Sequence, residues 1–190
     1  MCKALSFLLA LILTQSQTAN DQSAERELDR RLSLITEVAG SLEKQLRSEN
    51  SQWFCSEGAK TKYSRVSVEV GCFLERQAFY IDVTHYSSVK EVAEDLKVNL
   101  RNPNYPEWRK INDLGEEAIV TDGCERTWLR FRKGQFFIYI NGNVNDEAAL
   151  AKPSNPSGKL CEQGRDAISE QLSETASRLA KVIAESIGAS

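Results

Sequence analysis

The sequence is poor in the side chains on which most enzymes depend. It has one histidine, His85, in 190 residues, so a Ser-His-Asp or Cys-His mechanism would have to use that side chain. A Ser-x-x-Lys spacing occurs at Ser41/Lys44 and again at Ser87/Lys90, but the S-D-N and K-T-G elements of the penicillin-recognising enzymes are missing. We therefore expect a protein that is not an enzyme and has no cofactor.

The sequence also lacks the spacing of a metal site. No two cysteines lie two to four residues apart, which argues against a zinc knuckle and a redox C-x-x-C motif. Asn141, Asn143 and Asn145 resemble the opening of a calcium loop, but Asp146 and Lys152 stand where that loop needs Gly and Glu. We predict no metal site.

An excess of basic residues is missing as well. The chain has 24 Lys and Arg against 27 Asp and Glu, a net charge of −3. Nucleic-acid binding proteins usually carry a basic stripe, and attraction to anionic lipid also requires basic clusters. We therefore expect neither nucleic acid nor an anionic membrane surface among the partners.

Long apolar runs are limited to one short segment at the start. Lys3 precedes the apolar residues 4–13, and small polar residues 14–19 follow, which is the layout of a secretory signal peptide. The run is too short to span a bilayer, which takes roughly 20 residues. We predict a signal peptide over residues 1–19, cleaved after Ser16 or Ala19, and a secreted or periplasmic protein without stable membrane insertion.

Four cysteines remain beyond that segment. An even number in an exported domain predicts two disulfides, and four cysteines allow three pairings. Pairing of chain neighbours needs the least topology, so we favour Cys55–Cys72 and Cys124–Cys161.

Residues 20–50 predict an N-terminal amphipathic helix. Apolar residues recur there at alternating steps of four and three, and they are Leu28, Leu32, Ile35, Ala39, Leu42 and Leu46. The stripe fits a helix that packs on its own domain. Self-association through a coiled coil is the alternative, because the spacing is also that of heptads.

Residues 51–190 predict a single α+β domain. Strands are expected over 66–74, 79–85, 116–121, 127–132 and 135–140, and helices over 88–100 and 165–187. Ser88 followed by Glu91 forms a capping box at the start of the first of these helices. The fold class is therefore α+β with a five-stranded antiparallel sheet, amphipathic helices on one face, and the order α-β-β-α-β-β-β-α.

The last two predicted strands carry large side chains on the face away from the predicted core. A turn at Lys133 and Gly134 would pair Arg132 with Gln135 and put Phe131 and Phe136 on the core face. The opposite face then forms a candidate surface for a ligand or partner protein, which nearby loop residues could extend. It consists of Trp128, Arg130, Arg132, Phe137 and Tyr139, extended by Tyr105 and Trp108. A long terminal helix covering this face is the alternative.

Two segments carry a resemblance to a known family. Residues 114–118 (Leu-Gly-Glu-Glu-Ala), together with the hairpin 129–140 and its Lys-Gly turn, resemble small exported bacterial domains of the Mog1/PsbP-like kind. Residues 179–184 are also similar to the final helix of those domains. The resemblance covers about the second half of the chain, and it implies a binding or assembly module without catalysis.

Two functional hypotheses follow. The first is an exported, non-catalytic binding or adaptor domain for an unknown protein or small ligand, acting through the aromatic-basic face. The second is a self-assembling structural protein, a homo-oligomer held together by the N-terminal heptad helix.

Overall fold

The computed structural model describes residues 2–62, 65–74, 77–100, 108–122, 126–144 and 166–189. This part of the chain forms three helices and seven strands. In chain order they are α1 (Cys2–Glu49), β1 (Phe54–Lys62), β2 (Val66–Leu74), β3 (Gln77–His85), α2 (Val89–Leu100), β4 (Arg109–Ile111), β5 (Glu117–Asp122), β6 (Arg126–Lys133), β7 (Phe136–Val144) and α3 (Asp166–Ala189).

All strands belong to one antiparallel sheet in the order β1-β2-β3-β7-β6-β5-β4. The α+β class and the antiparallel sheet are confirmed, but the prediction of five strands was wrong. The predicted order lacks β1 and β4, the two edge strands. β1 has no alternating apolar pattern from which a strand could be predicted, because Cys55 is its one buried side chain. β4 has only three residues, which is too short for such a pattern.

Helices cover both faces of the sheet, which corrects the prediction that they pack on one. We call the side that contacts α1 and α3 the inner face, and the opposite side, where α2 packs, the outer face. Because successive strand residues point to opposite sides, Ala118 belongs to the inner core and Ile119 contacts α2.

The inner face holds the larger core. Strand residues from β2 to β7 interdigitate there with the apolar stripes of α1 and α3. In α1, Ile35, Leu42 and Leu46 are fully buried and Leu28 and Leu32 pack partly buried against the same cluster. The predicted stripe is confirmed as a contact with the domain's own sheet, since the same side chains that make the heptad pattern fill this core. Among the described residues no helix is both long and apolar enough to cross a bilayer.

The β6–β7 hairpin is present, with a register two residues away from the predicted one. Lys133 pairs with Phe136, so Gly134 and Gln135 form the turn, and Phe131 lies opposite Ile138. A shift by two residues leaves each side chain on the same face. The faces were therefore predicted correctly although the pairs were not.

Two elements of the family resemblance belong to one interaction. Gly115 has a φ of 63°, and a Cβ there would lie 2.3 Å from the Arg132 carbonyl oxygen, so only glycine fits. The Glu116 amide donates to that carbonyl oxygen (3.0 Å). The Glu116 carboxylate in turn accepts from the Gly134 amide (2.8 Å). The Leu-Gly-Glu segment thus holds the β6–β7 turn at Gly134.

The disulfide Cys55–Cys72 is confirmed. It joins directly paired residues of β1 and β2, and both cysteines are buried against the inner core. The bridge therefore fastens an edge strand that contributes few apolar contacts. Cys124 and Cys161 lie outside the described residues, and their pairing stays a prediction.

Candidate functional site

The five strand residues of the predicted aromatic-basic face do share the outer face. Trp128, Arg130 and Arg132 of β6 pair with Asn141, Tyr139 and Phe137 of β7, respectively. The prediction of a common face is therefore correct, although the predicted pairs were not, and α2 determines how much of that face is accessible.

Helix α2 buries the centre of that predicted face. Val92 and Leu96 pack on Ile119 and Phe137, and Phe137 is left only 8% exposed. The N-cap bond of the predicted capping box is present, because the Glu91 amide donates to the Ser88 hydroxyl (3.3 Å), and the Glu91 carboxylate accepts from the Ser87 hydroxyl. The helix that covers this face is thus the short central helix α2, whereas the alternative stated from the sequence was a long terminal helix.

Arg130 is held between two aromatic rings. Its guanidinium carbon lies 4.8 Å from the centre of the Trp108 ring and 4.9 Å from that of Tyr139, and the residue is 5% exposed. Cation–π contact with the two rings offsets part of the cost of removing the charge from water. Arg130 and Trp108 therefore act first as packing between the sheet and α2.

The remaining predicted residues have separate positions. Arg132 forms ion pairs with Glu116 (3.1 Å) and Glu117 (3.5 Å) beside the hairpin turn. Trp128 is half-buried on the outer face. Tyr105 lies outside the described residues.

A polar cavity of about 200 Å³ lies between β3 and α2. The Tyr86 hydroxyl donates to the Asp95 carboxylate and accepts from the Arg65 guanidinium (3.3 Å). Burial, followed by the hydrogen bond to Asp95, raises the pKa of Tyr86 to about 12. The phenol therefore stays protonated and keeps α2 attached to the end of β3.

The other half of the outer face is open. It holds a groove of about 480 Å³ that runs across β1, β2, β3 and β7. Both aromatic rings and polar side chains line its walls. The lining residues with outward side chains are Ser56, Glu69, Phe73, Tyr80, Asp82, Tyr139 and Asn141.

Three aromatic side chains form a continuous cluster at one end of the groove. Phe54 stacks on Phe73 with ring centres 6.3 Å apart, and Phe73 meets Tyr80 edge to face at 6.2 Å. Phe54 is 58% exposed and Tyr80 53%. The cluster is therefore accessible to a partner, in contrast to the rings under α2.

Gly71 makes the depression between these rings. It is the strand neighbour of Tyr80, and a Cβ at this position would lie 3.1 Å from the Phe73 ring. The absence of a side chain lets the Phe73 ring lie over the backbone and leaves the floor of the groove low. Any larger residue at position 71 would move that ring.

Two carboxylates lie opposite each other inside the groove. Glu69 of β2 pairs with Asp82 of β3, and like charges directly opposite destabilise a sheet. Burial raises the pKa of Asp82, and the Glu69 charge raises it further, whereas a hydrogen bond from the Thr84 hydroxyl (2.9 Å) lowers it. Burial is the largest of these causes. None of the described residues that line the groove is basic.

His85 lies away from both cavities, on the inner side of β3. It is 4% exposed and its ring meets Phe136 edge to face, with centres 4.7 Å apart. Its Nδ1 is buried without a hydrogen-bond partner among the described residues. Burial is the main cause that lowers the pKa of His85, and the nearby charges of Arg31 and Arg30 lower it further.

Sequence reasoning missed the open groove. Phe73 and Tyr80 occupy outward positions of strands that it predicted correctly, where alternation alone would place polar residues. Aromatic residues at these outward positions were therefore a signal in the sequence for an exposed aromatic surface. Phe54 and the depression at Gly71 depend on β1, which was not predicted.

No family model matches the chain, and comparisons with curated proteins and with solved structures also gave no match. The resemblance to Mog1/PsbP-like domains stays a prediction from the sequence. The groove must therefore be interpreted from its own chemistry.

Proposed function

We propose that this protein is an exported, non-catalytic binding or adaptor domain, and that the open groove of the outer face is its ligand site. The observation that carries the proposal is the exposed aromatic cluster Phe54–Phe73–Tyr80 at the mouth of a groove. Among the described residues, Phe54 and Tyr80 are two of the three large apolar or aromatic side chains that remain exposed, the third being Val89.

Aromatic rings held open to solvent are typical of binding surfaces. Phe and Tyr offer large contact areas with little side-chain entropy to lose, and they are enriched at protein interfaces. Phe73 has a structural role over Gly71, but Tyr80 and Phe54 are not needed to fill the core, since they project away from it. Binding gives these two residues a role that folding does not.

The proposal moves the centre of the predicted face from β6 towards β2 and β3. Tyr139 remains a member because it lines both the groove and the polar cavity. Trp128 pairs with Asn141, which lines the groove. Arg130 contacts the Tyr139 ring, and Phe137 packs under α2.

Export is part of the proposal. A charged residue followed by a short apolar run at 4–13 has the layout of a secretory signal, and the disulfide Cys55–Cys72 fits an oxidising compartment. The alternative of self-assembly through the N-terminal helix loses support, because its stripe from Leu28 to Leu46 packs on the domain's own sheet.

Site-specific photo-crosslinking tests the proposal. A photoreactive phenylalanine analogue is placed at position 80 or 54, and in a control at Lys90, an exposed residue of α2. We expect discrete adducts from positions 80 and 54 in the protein's own compartment, none from position 90, and loss of the adducts when Gly71→Val fills the groove.

Equal adducts at all three positions, or none at 80 and 54, would refute the ligand site. An adduct of twice the monomer mass from position 80 would show that the groove binds a second copy, and would return the homo-oligomer to consideration.

A further inference from the structure

The charges of the groove define the chemistry of its ligand. Glu69 and Asp82 lie opposite each other on adjacent strands, and the described lining residues include no basic side chain. Arg65 and Arg130 line the adjoining polar cavity, which Asp82 also lines, and the Arg65 charge acts to lower the pKa of Asp82. The groove is therefore acidic at a point where two like charges already oppose each other.

A cation between the two carboxylates would remove that repulsion. It would also lie beside the rings of Phe73 and Tyr80, and aromatic rings attract positive charge through their quadrupoles, whereas the ring of Tyr139 already contacts Arg130. Carboxylates beside aromatic rings bind an ammonium or guanidinium head together with its apolar stem, because the rings take the stem and the carboxylates take the head.

The exposure of the site favours a polypeptide over a free small molecule. Small-molecule pockets bury most of the ligand surface. Here Tyr80 and Phe54 remain more than half exposed beside the groove, so a small amine could not be enclosed. A polypeptide can cover these two rings with its neighbouring residues while one side chain enters the groove.

We infer that the groove binds a lysine or arginine side chain of a partner polypeptide, with the charged head between Glu69 and Asp82. The inference rests on the proposed function and adds the chemical class of the ligand. Phe54 and Tyr80 then contact the residues that flank the basic side chain.

The test compares three hexapeptides that are identical except for two positions, which carry lysine, glutamine or glutamate. Each is titrated into the isotopically labelled protein, and the backbone amide resonances of Gly71 and Tyr80 are followed by NMR. We expect saturable shifts with the lysine peptide, at least tenfold weaker binding of the other two, and weakening of the lysine complex by added salt.

Charge-removing variants sharpen the test. Glu69→Gln and Asp82→Asn together should weaken the lysine peptide at least tenfold, and Glu69→Gln alone, at an exposed position, should weaken it in the same direction. The control variant Glu94→Gln, at an exposed position of α2, should change the affinity for the lysine peptide by less than twofold. Circular dichroism checks that each variant is folded.

Tight binding of the glutamine peptide, or an unchanged affinity in the double variant, would overturn the cationic ligand and leave the binding site in place. No shift with the lysine peptide would also overturn it. The crosslinking at positions 80 and 54 decides separately whether the groove binds a ligand at all.

Discussion

The inner and outer faces of the sheet differ in what covers them. On the inner face, α1 and α3 cover apolar strand residues such as Leu129 and Ile140, which are fully buried. On the outer face, α2 covers only the β5–β7 side, and the groove side keeps exposed aromatic rings and opposed carboxylates. The same strands therefore present a stability surface on one side and the proposed binding surface on the other.

This difference shows how a single sheet separates two demands. Inner residues are selected by packing, because a void in a core costs free energy. Exposed residues on the open side, such as Phe54 and Tyr80, contribute little to the core, so packing does not determine their type. A set of substitutions, one face at a time, can measure this separation.

The largest expected effect is on the inner face. Phe131 is fully buried in the inner core, and Phe131→Ala should lower the free energy of unfolding by about 3–5 kcal/mol, because it removes buried area and leaves a cavity. Chemical denaturation followed by circular dichroism measures the change. A loss below about 1 kcal/mol would show that the inner face is not the stability surface.

The disulfide should have the next largest effect. It closes a loop of 17 residues between β1 and β2, and its loss in the double variant Cys55→Ala/Cys72→Ala should cost about 3 kcal/mol by the chain-entropy model. The wild-type protein under reducing conditions should lose at least as much stability, because reduction would also open the predicted Cys124–Cys161 bridge. A variant as stable as wild type would contradict a stabilising role for the bridge.

A smaller effect that depends on pH is expected from His85. Because burial lowers its pKa in the folded state, the unfolded chain binds the proton first as the pH falls. Stability should therefore be fully present above the ordinary pKa of about 6.5 and decrease as the pH falls below it. Urea denaturation of wild type and His85→Gln from pH 8 to pH 5 measures this.

As the pH falls from 8 to 5, wild type should lose unfolding free energy that His85→Gln does not lose. The stability of the variant relative to wild type should therefore increase in acid. The groove carboxylates are common to both proteins, so their contribution cancels in the comparison. A difference that is constant with pH would refute the expectation.

The smallest effect on stability is expected in the open groove. Tyr80→Ser removes a ring that is more than half exposed, and the free energy of unfolding should change by no more than about 0.5 kcal/mol. The same variant should lose ligand binding, with Glu94→Gln as the matched surface control. A large loss of stability would mean that the aromatic cluster belongs to the fold.

Prediction from the sequence succeeded where one residue pattern decides the outcome. The apolar alternation of Val66, Val68 and Val70 needs only the period of a strand, and the stripe from Leu28 to Leu46 needs only that of a helix. It failed at β1, whose residues become a strand because β2 and a disulfide hold them there. It also did not predict that α2 covers part of the outer face, because an amphipathic helical pattern does not specify the face of the sheet on which the helix packs.

The candidate site divides in the same way. The sequence placed Trp128, Arg130, Arg132, Phe137 and Tyr139 on one face, because alternation and a hairpin fix relative orientation. It could not tell that Arg130 and Phe137 are buried. Accessibility depends on packing between segments far apart in the chain.

The sequence by itself determined the periodic elements, the α+β class and the sharing of faces, because each follows from local spacing or from the pairing of neighbouring segments. It favoured the Cys55–Cys72 bridge among three possible pairings, and the structure decided it. Only the tertiary structure decided the seven-stranded order, the covering of both faces and the groove. These depend on contacts such as β3 with β7, in which Gln77 pairs with Val144, and on a helix placed over one half of the outer face. Such long-range choices are made by packing energy, which no local pattern contains.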